Sequence, residues 1–105
     1  MMLMYGLRSK SLEQAAAIVS LLLGVTFELH DSLFLGGDYF LAEMQEGTIC
    51  IQPNYDAFHN ETFQVSWPSD QFLLCFDGPV DAHWESYTLL LSSSKDAVFL
   101  SRSMG

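Results

Sequence analysis

The stretch SLEQAAAIVSLLLGVTFELH, Ser11–His30, changes its period halfway along. In the first half, Leu12, Ala15, Ala16, Val19, Leu22 and Leu23 recur at the three- and four-residue spacing of an amphipathic helix. Ser11 has the chemistry of an N-cap, and Gln14 three residues on completes a capping box. Gly24 supplies the left-handed residue that ends such a helix. The spacing therefore predicts a helix over 11–23. In the second half, Val25, Phe27 and Leu29 alternate with Thr26, Glu28 and His30, the period of a strand with one buried face. A helix thus passes directly into a strand.

Outward from this unit, residues 2–7 (MLMYGL) read as a first strand. Downstream, 31–37 read as a loop, and 39–44 and 48–52 as a hairpin turning at Glu46-Gly47. Pro53, which cannot donate to a ladder, ends the second of these strands. Residues 53–70 have no clean period and read as a long loop rich in aromatics. Loops of that length inside a small domain are usually functional or disordered, and the aromatic content argues against disorder. Phe72–Phe76 is continuously apolar, as in a central strand covered on both faces. Asp77-Gly78-Pro79 reads as a turn. Asp81 reads as the cap of a second helix over 82–93, with Trp84, Tyr87, Thr88 and Leu91 inward. Ala97–Leu100 reads as a last strand. The expected fold is a single α+β domain over residues 1–105. It is a two-layer sandwich with a mixed or antiparallel sheet of five to six strands and both helices on one face, a variant of the split βαβ type.

The chain has 105 residues, 50% of them hydrophobic, which suffices for one real core. No apolar run reaches the 18 residues that suggest a membrane span. Arg8 and Lys10 before Ala15–Leu23 resemble a signal peptide at first sight. Glu13 and Gln14 interrupt the run, however, and no small-residue cleavage site follows, so a cytoplasmic location is expected. Cys50 and Cys75 each fall inside a predicted strand and are expected to be reduced and buried. A disulfide would need those two strands to be neighbours. Two cysteines without a C-x-x-C spacing do not make a structural zinc site.

Charge is the most informative part of the composition. The net charge is −9, and its layout is one-sided. Between Ser11 and Ser94 there are twelve carboxylates and no Lys or Arg; the four basic residues are Arg8, Lys10, Lys95 and Arg102. Such a field repels nucleic acid and anionic membranes and speeds association with a cationic protein. Acidity also serves plain solubility, but the absence of cations over so long a stretch points to a basic partner.

Candidate chemistry is sparse. His30 with Asp31 and Asp38 is the one group suggestive of a general base or a metal site. Neighbours on a strand face opposite ways, however, so His30 and Asp31 need not converge. His59 and His83 have no partner at metal-ligand spacing. No phosphate-binding glycine loop, dinucleotide fingerprint or serine-nucleophile motif occurs, and the interior lacks a cation to clamp an anionic substrate. No enzyme activity, metal or cofactor is expected. The most suggestive set interleaves aromatics with carboxylates: Tyr55, Asp56, Phe58, Glu61, Trp67 and Asp70, joined by Asp31 and Asp38. Aromatics give anchors and carboxylates steer a cationic partner. Phe63 and Trp67 read equally well as core cover.

Three segments, FELHDSLFLGGDYF (Phe27–Phe40), ICIQPNYD (Ile49–Asp56) and FLLCFDG (Phe72–Gly78), resemble a group of small bacterial proteins. These are similar to immunity proteins of contact-dependent and other polymorphic toxin systems. The resemblance implies a chain that binds a cognate toxin domain, commonly basic, and blocks it. It also implies that Asp31, Asp38 and the loop after Asn54 lie at the functional surface. Two other readings are a small metal-binding or hydrolytic domain centred on His30, Asp31 and Asp38, and a regulatory subunit with a non-toxin partner.

Overall fold

A computed structural model describes residues 2–32, 37–44, 47–78 and 82–103, the side chains of 82 and 83 excepted. The elements run β1 (Met2–Leu7), α1 (Leu12–Leu23), β2 (Glu28–Ser32), β3 (Gly37–Met44), β4 (Gly47–Pro53), β5 (Tyr55–Asp56), β6 (Glu61–Thr62), β7 (Phe72–Asp77), α2 (Ala82–Ser92) and β8 (Ala97–Ser103). Six strands form one antiparallel sheet in the order β2-β3-β4-β7-β1-β8, and β5 and β6 pair separately. β7, α2 and β8 form a crossover with β1 inserted between the two strands, the split βαβ arrangement. The fold is the expected α+β sandwich.

α1 begins where the sequence places it. Ser11 is extended and its side chain accepts the Gln14 N–H at 3.1 Å. The reciprocal arm reaches one residue further than a capping box would, with Gln14 Oε1 accepting the N–H of Lys10 at 2.9 Å. Gly24, at φ 70°, closes the helix and donates to the Ser20 carbonyl. Leu12, Ala15, Ala16, Val19 and Leu23 are buried against the sheet. The facing strand residues follow from alternation: Leu3, Tyr5 and Leu7 of β1, Ile49 and Ile51 of β4, Leu74 and Phe76 of β7. α2 completes the same layer with Trp84, Tyr87 and Leu91. Phe76 is the hub, with its ring edge-on to Trp84 at 4.7 Å and stacked with Tyr87 at 6.0 Å.

Four expectations change. Val25 and Phe27 are half-buried but precede β2, whose residues are mostly exposed, Leu29 included. β2 is the sheet's edge, so it is paired on one side only. Asp31, Ser32 and Gly37 belong to strands, not to a loop. The last strand extends to Ser103. The segment 53–70 is neither disordered nor shapeless, because it contains the β5–β6 hairpin. Asp81 as a cap, Glu46 and Pro79 as turn residues, and the side chain of His83 lie outside the described residues.

The structure decides Trp67, which reads from the sequence equally well as interface or as core cover. The 63–71 segment folds back over the sheet face opposite the helices, and Trp67 is only 6% exposed. It lies flat on Gly6, where an added Cβ would come within 2.4 Å of the indole ring. Arg8 covers the ring's outer side, 4.9 Å from its centroid, a cation–π contact. Gln52 and Leu73, next to Gly6 in the ladder, are buried although no helix lies on that side. Gly6→Ala must displace the indole and is expected to destabilise the protein by about 1–3 kcal/mol. Thermal unfolding followed by tryptophan fluorescence checks this, and an unchanged midpoint would contradict the seating of Trp67.

Candidate partner-binding face

The β5–β6 hairpin is built around Asp56. Its Oδ1 accepts the backbone N–H of Phe58 at 3.0 Å and of His59 at 3.2 Å. Its Oδ2 lies 2.6 Å from His59 Nδ1. Asn60 takes the left-handed conformation that asparagine tolerates, φ 56°, and its side-chain oxygen accepts the Tyr55 hydroxyl. The product is a fixed turn with Phe58 at its tip, 59% exposed. Asp56 is therefore buried and serves the turn, not the surface. Burial alone would raise its carboxyl. The His59 side chain, the backbone N–H groups of His59 and Phe58 and the charge of protonated His59 outweigh burial, so its pKa falls below the ordinary 3.8.

Phe58 shares a hollow of about 230 Å³ with Asp31, Ser32 and Gly37. Asp31 is directly opposite Asp38 in the β2–β3 ladder, and both are exposed. Like charges directly opposed across strands destabilise a sheet. Among the described residues, neither carboxylate has a cation within ion-pair distance. Glu61 is exposed on β6, directly opposite Asp56 in the hairpin. Tyr55 is half-buried beneath the turn. The structure thus brings Asp31, Asp38 and Phe58 together. Trp67 does not join them, because its indole is spent on Gly6. Asp70 is exposed on the other arm of the loop, beside Gln71, whose side chain holds the Ser9 N–H at 2.8 Å.

His30 does not converge with Asp31 and Asp38. It stacks on Tyr39 at 5.6 Å on the helix-free face and lies 3.6 Å from Glu28. Among the described residues, no three of His, Cys, Asp and Glu come together as a metal site. No helix is long and apolar enough to cross a membrane.

Sequence reasoning missed the rest of the helix-free face. Beyond the 63–71 cover, Met2, Met4, Tyr39, Leu41, Cys50 and Cys75 line an open groove of about 420 Å³. Asp77 lies in its lining, and Glu43 and Glu28 border the adjoining hollow around Leu41. One signal was available: with both helices on one side, no further helix remained for the other. Cys50 and Cys75 are half-buried here rather than buried, and they are free. Burial pushes the Cys50 thiol up to about 11. Burial, then Cys50 and Asp77, push Cys75 up to about 12.

Comparison with known proteins finds no matching family model, no matching characterised protein and no matching solved structure.

Two outcomes follow from the chemistry of Asp56 and the two cysteines. Asp56 has a lower pKa folded than unfolded, so its contribution is complete above the unfolded value and is lost as pH falls through the folded one. In NMR titration the Phe58 and His59 amides should shift with a midpoint below 3.8, and Asp56→Asn should remove that transition. A midpoint at or above 3.8 would contradict the turn. Both thiols should stay protonated at neutral pH, so the native protein should alkylate slowly, Cys75 more slowly than Cys50. Rapid labelling of either cysteine in the native protein would contradict their placement.

Proposed function

We propose that this chain is a protein-binding module that holds a cationic partner and acts by occupation, not by catalysis. Within that class, the reading we favour is an immunity protein that neutralises a basic toxin domain in the bacterial cytoplasm. One observation carries the proposal: Asp31 of the edge strand β2 and Asp38 of its neighbour β3 are exposed and directly opposed, beside the exposed Phe58, in a chain with no Lys or Arg from Ser11 to Ser94. A like-charged cross-strand pair is a cost to the free protein. A guanidinium or ammonium group placed between the two carboxylates would relieve it, so the edge is better matched to a complex than to isolation. Phe58 supplies an apolar anchor held by a pre-formed turn, which lowers the ordering cost of binding. The sequence segments that resemble immunity proteins include Asp31, Asp38 and the start of this hairpin.

The test is co-production with the product of the neighbouring gene, if that gene encodes a toxin domain, or else with a panel of basic toxin domains, followed by affinity measurements on any purified pair. Asp31→Asn with Asp38→Asn should slow association and flatten its salt dependence, with the fold unchanged or slightly stabilised. Phe58→Ala should weaken binding by about 2 kcal/mol or more, chiefly through faster dissociation. If the toxin domain is bound and all three substitutions leave affinity unchanged, the face is wrong. If no toxin domain binds, the immunity reading fails.

A further inference from the structure

The helix-free face carries sulphur in a row. Met4 of β1 is directly opposite Cys75 of β7, and Cys75 is directly opposite Cys50 of β4. Met2 lies on the same face of β1, two residues from Met4, and all four side chains line one groove. Residues opposed in an antiparallel ladder hold their Cβ atoms about 4.5–5.5 Å apart, which leaves the two thiols within reach of a single bridging ion. Both cysteines are free and half-buried, and the groove is open to solvent, so an ion has a way in.

We propose that Cys50 and Cys75, backed by the thioethers of Met4 and Met2, form a binding site for Cu(I). The donor set selects the ion. Thiolate and thioether are soft ligands, and soft monovalent copper takes few of them. Zinc takes four ligands, mostly from thiolate and imidazole, and among the described residues no histidine lines this groove. Calcium and magnesium need a shell of oxygens, where this groove offers the Asp77 carboxylate, the Gln52 amide and hydroxyls. Binding is a proton exchange: each thiol releases its proton to water as its sulphur bonds to copper, and the metal keeps its oxidation state.

The site is tested on the reduced full-length protein under anaerobic conditions, with Cu(I) supplied as its bathocuproine disulfonate complex. One equivalent should transfer to the protein, with near-ultraviolet sulphur-to-copper absorption and a native mass gain of one copper. Cys50→Ser and Cys75→Ser should each lower the affinity at least about tenfold, and Met4→Leu should lower it less, with folding checked by circular dichroism. X-ray absorption at the copper edge, taken on the unaltered protein, should show a sulphur-only shell. Failure to retain copper, equal retention by the double cysteine variant, a shell of nitrogen or oxygen, or loss of two hydrogens without copper uptake would each overturn the site. The last result would make the pair a disulfide couple instead.

Discussion

Asn54 lies where β4 ends and the chain turns away from the sheet, and it has no solvent exposure. Its Nδ2 donates to the carbonyls of Gln64 at 3.0 Å, Trp67 at 2.8 Å and Pro68 at 3.2 Å, and its Oδ1 accepts the Gln64 N–H at 2.8 Å. Its backbone joins both arms of the loop: Asn54 N–H donates to Gln71, and Phe63 N–H donates to Asn54. One buried amide thus replaces the ladder that residues 63–68 do not have. The loop's carbonyls are satisfied inside the protein, which allows Trp67 to lie on Gly6 and Leu73 to be buried without a third helix. The arrangement has a cost, because among the described residues the Trp67 indole N–H is buried with no acceptor. Removing one partner from such a buried network costs about 1–3 kcal/mol for each group left unsatisfied.

This constraint divides the helix-free face in two. One end is sealed by the Asn54-held segment, and the rest is left open with its methionines and cysteines. The same anchor sets the base of the β5–β6 hairpin, so Asp56 can close its turn and present Phe58 beside Asp31 and Asp38. Rigidity and exposure therefore sit side by side. The core, centred on Phe76, asks nothing of the charged edge, and the edge is free to carry an unfavourable carboxylate pair.

Much of the fold was legible in the sequence because local rules and packing agreed there. Ser11, the spacing of Leu12, Ala15, Ala16 and Val19, and Gly24 each point to the same helix, and the structure has it. The strands of the hairpin and the run at Phe72–Phe76 were legible for the same reason. β2 was misread because alternation at Val25, Phe27 and Leu29 says nothing about whether a strand is central or at an edge. Trp67 was undecided because its burial depends on a glycine sixty-one positions earlier. Asp56 looked like a surface charge because its carboxylate serves a turn of its own neighbours. The Cys50–Cys75 pairing depends on β4 lying next to β7, which no local pattern encodes. Of the candidate site, Asp31, Asp38 and Phe58 were legible as acidic or aromatic surface residues; their convergence with each other was not.

Asn54 pins the 54–71 segment, and native-state hydrogen exchange on Asn54→Ala reads this directly. In the unaltered protein the amides of Asn54, Phe63, Gln64 and Gln71 should be protected. In the variant they should exchange much faster and Phe58 and His59 should lose their fixed environment, while the amides of β1, β4 and β7 keep most of their protection. Fast exchange of those loop amides in the unaltered protein, or unchanged protection in the variant, would contradict it.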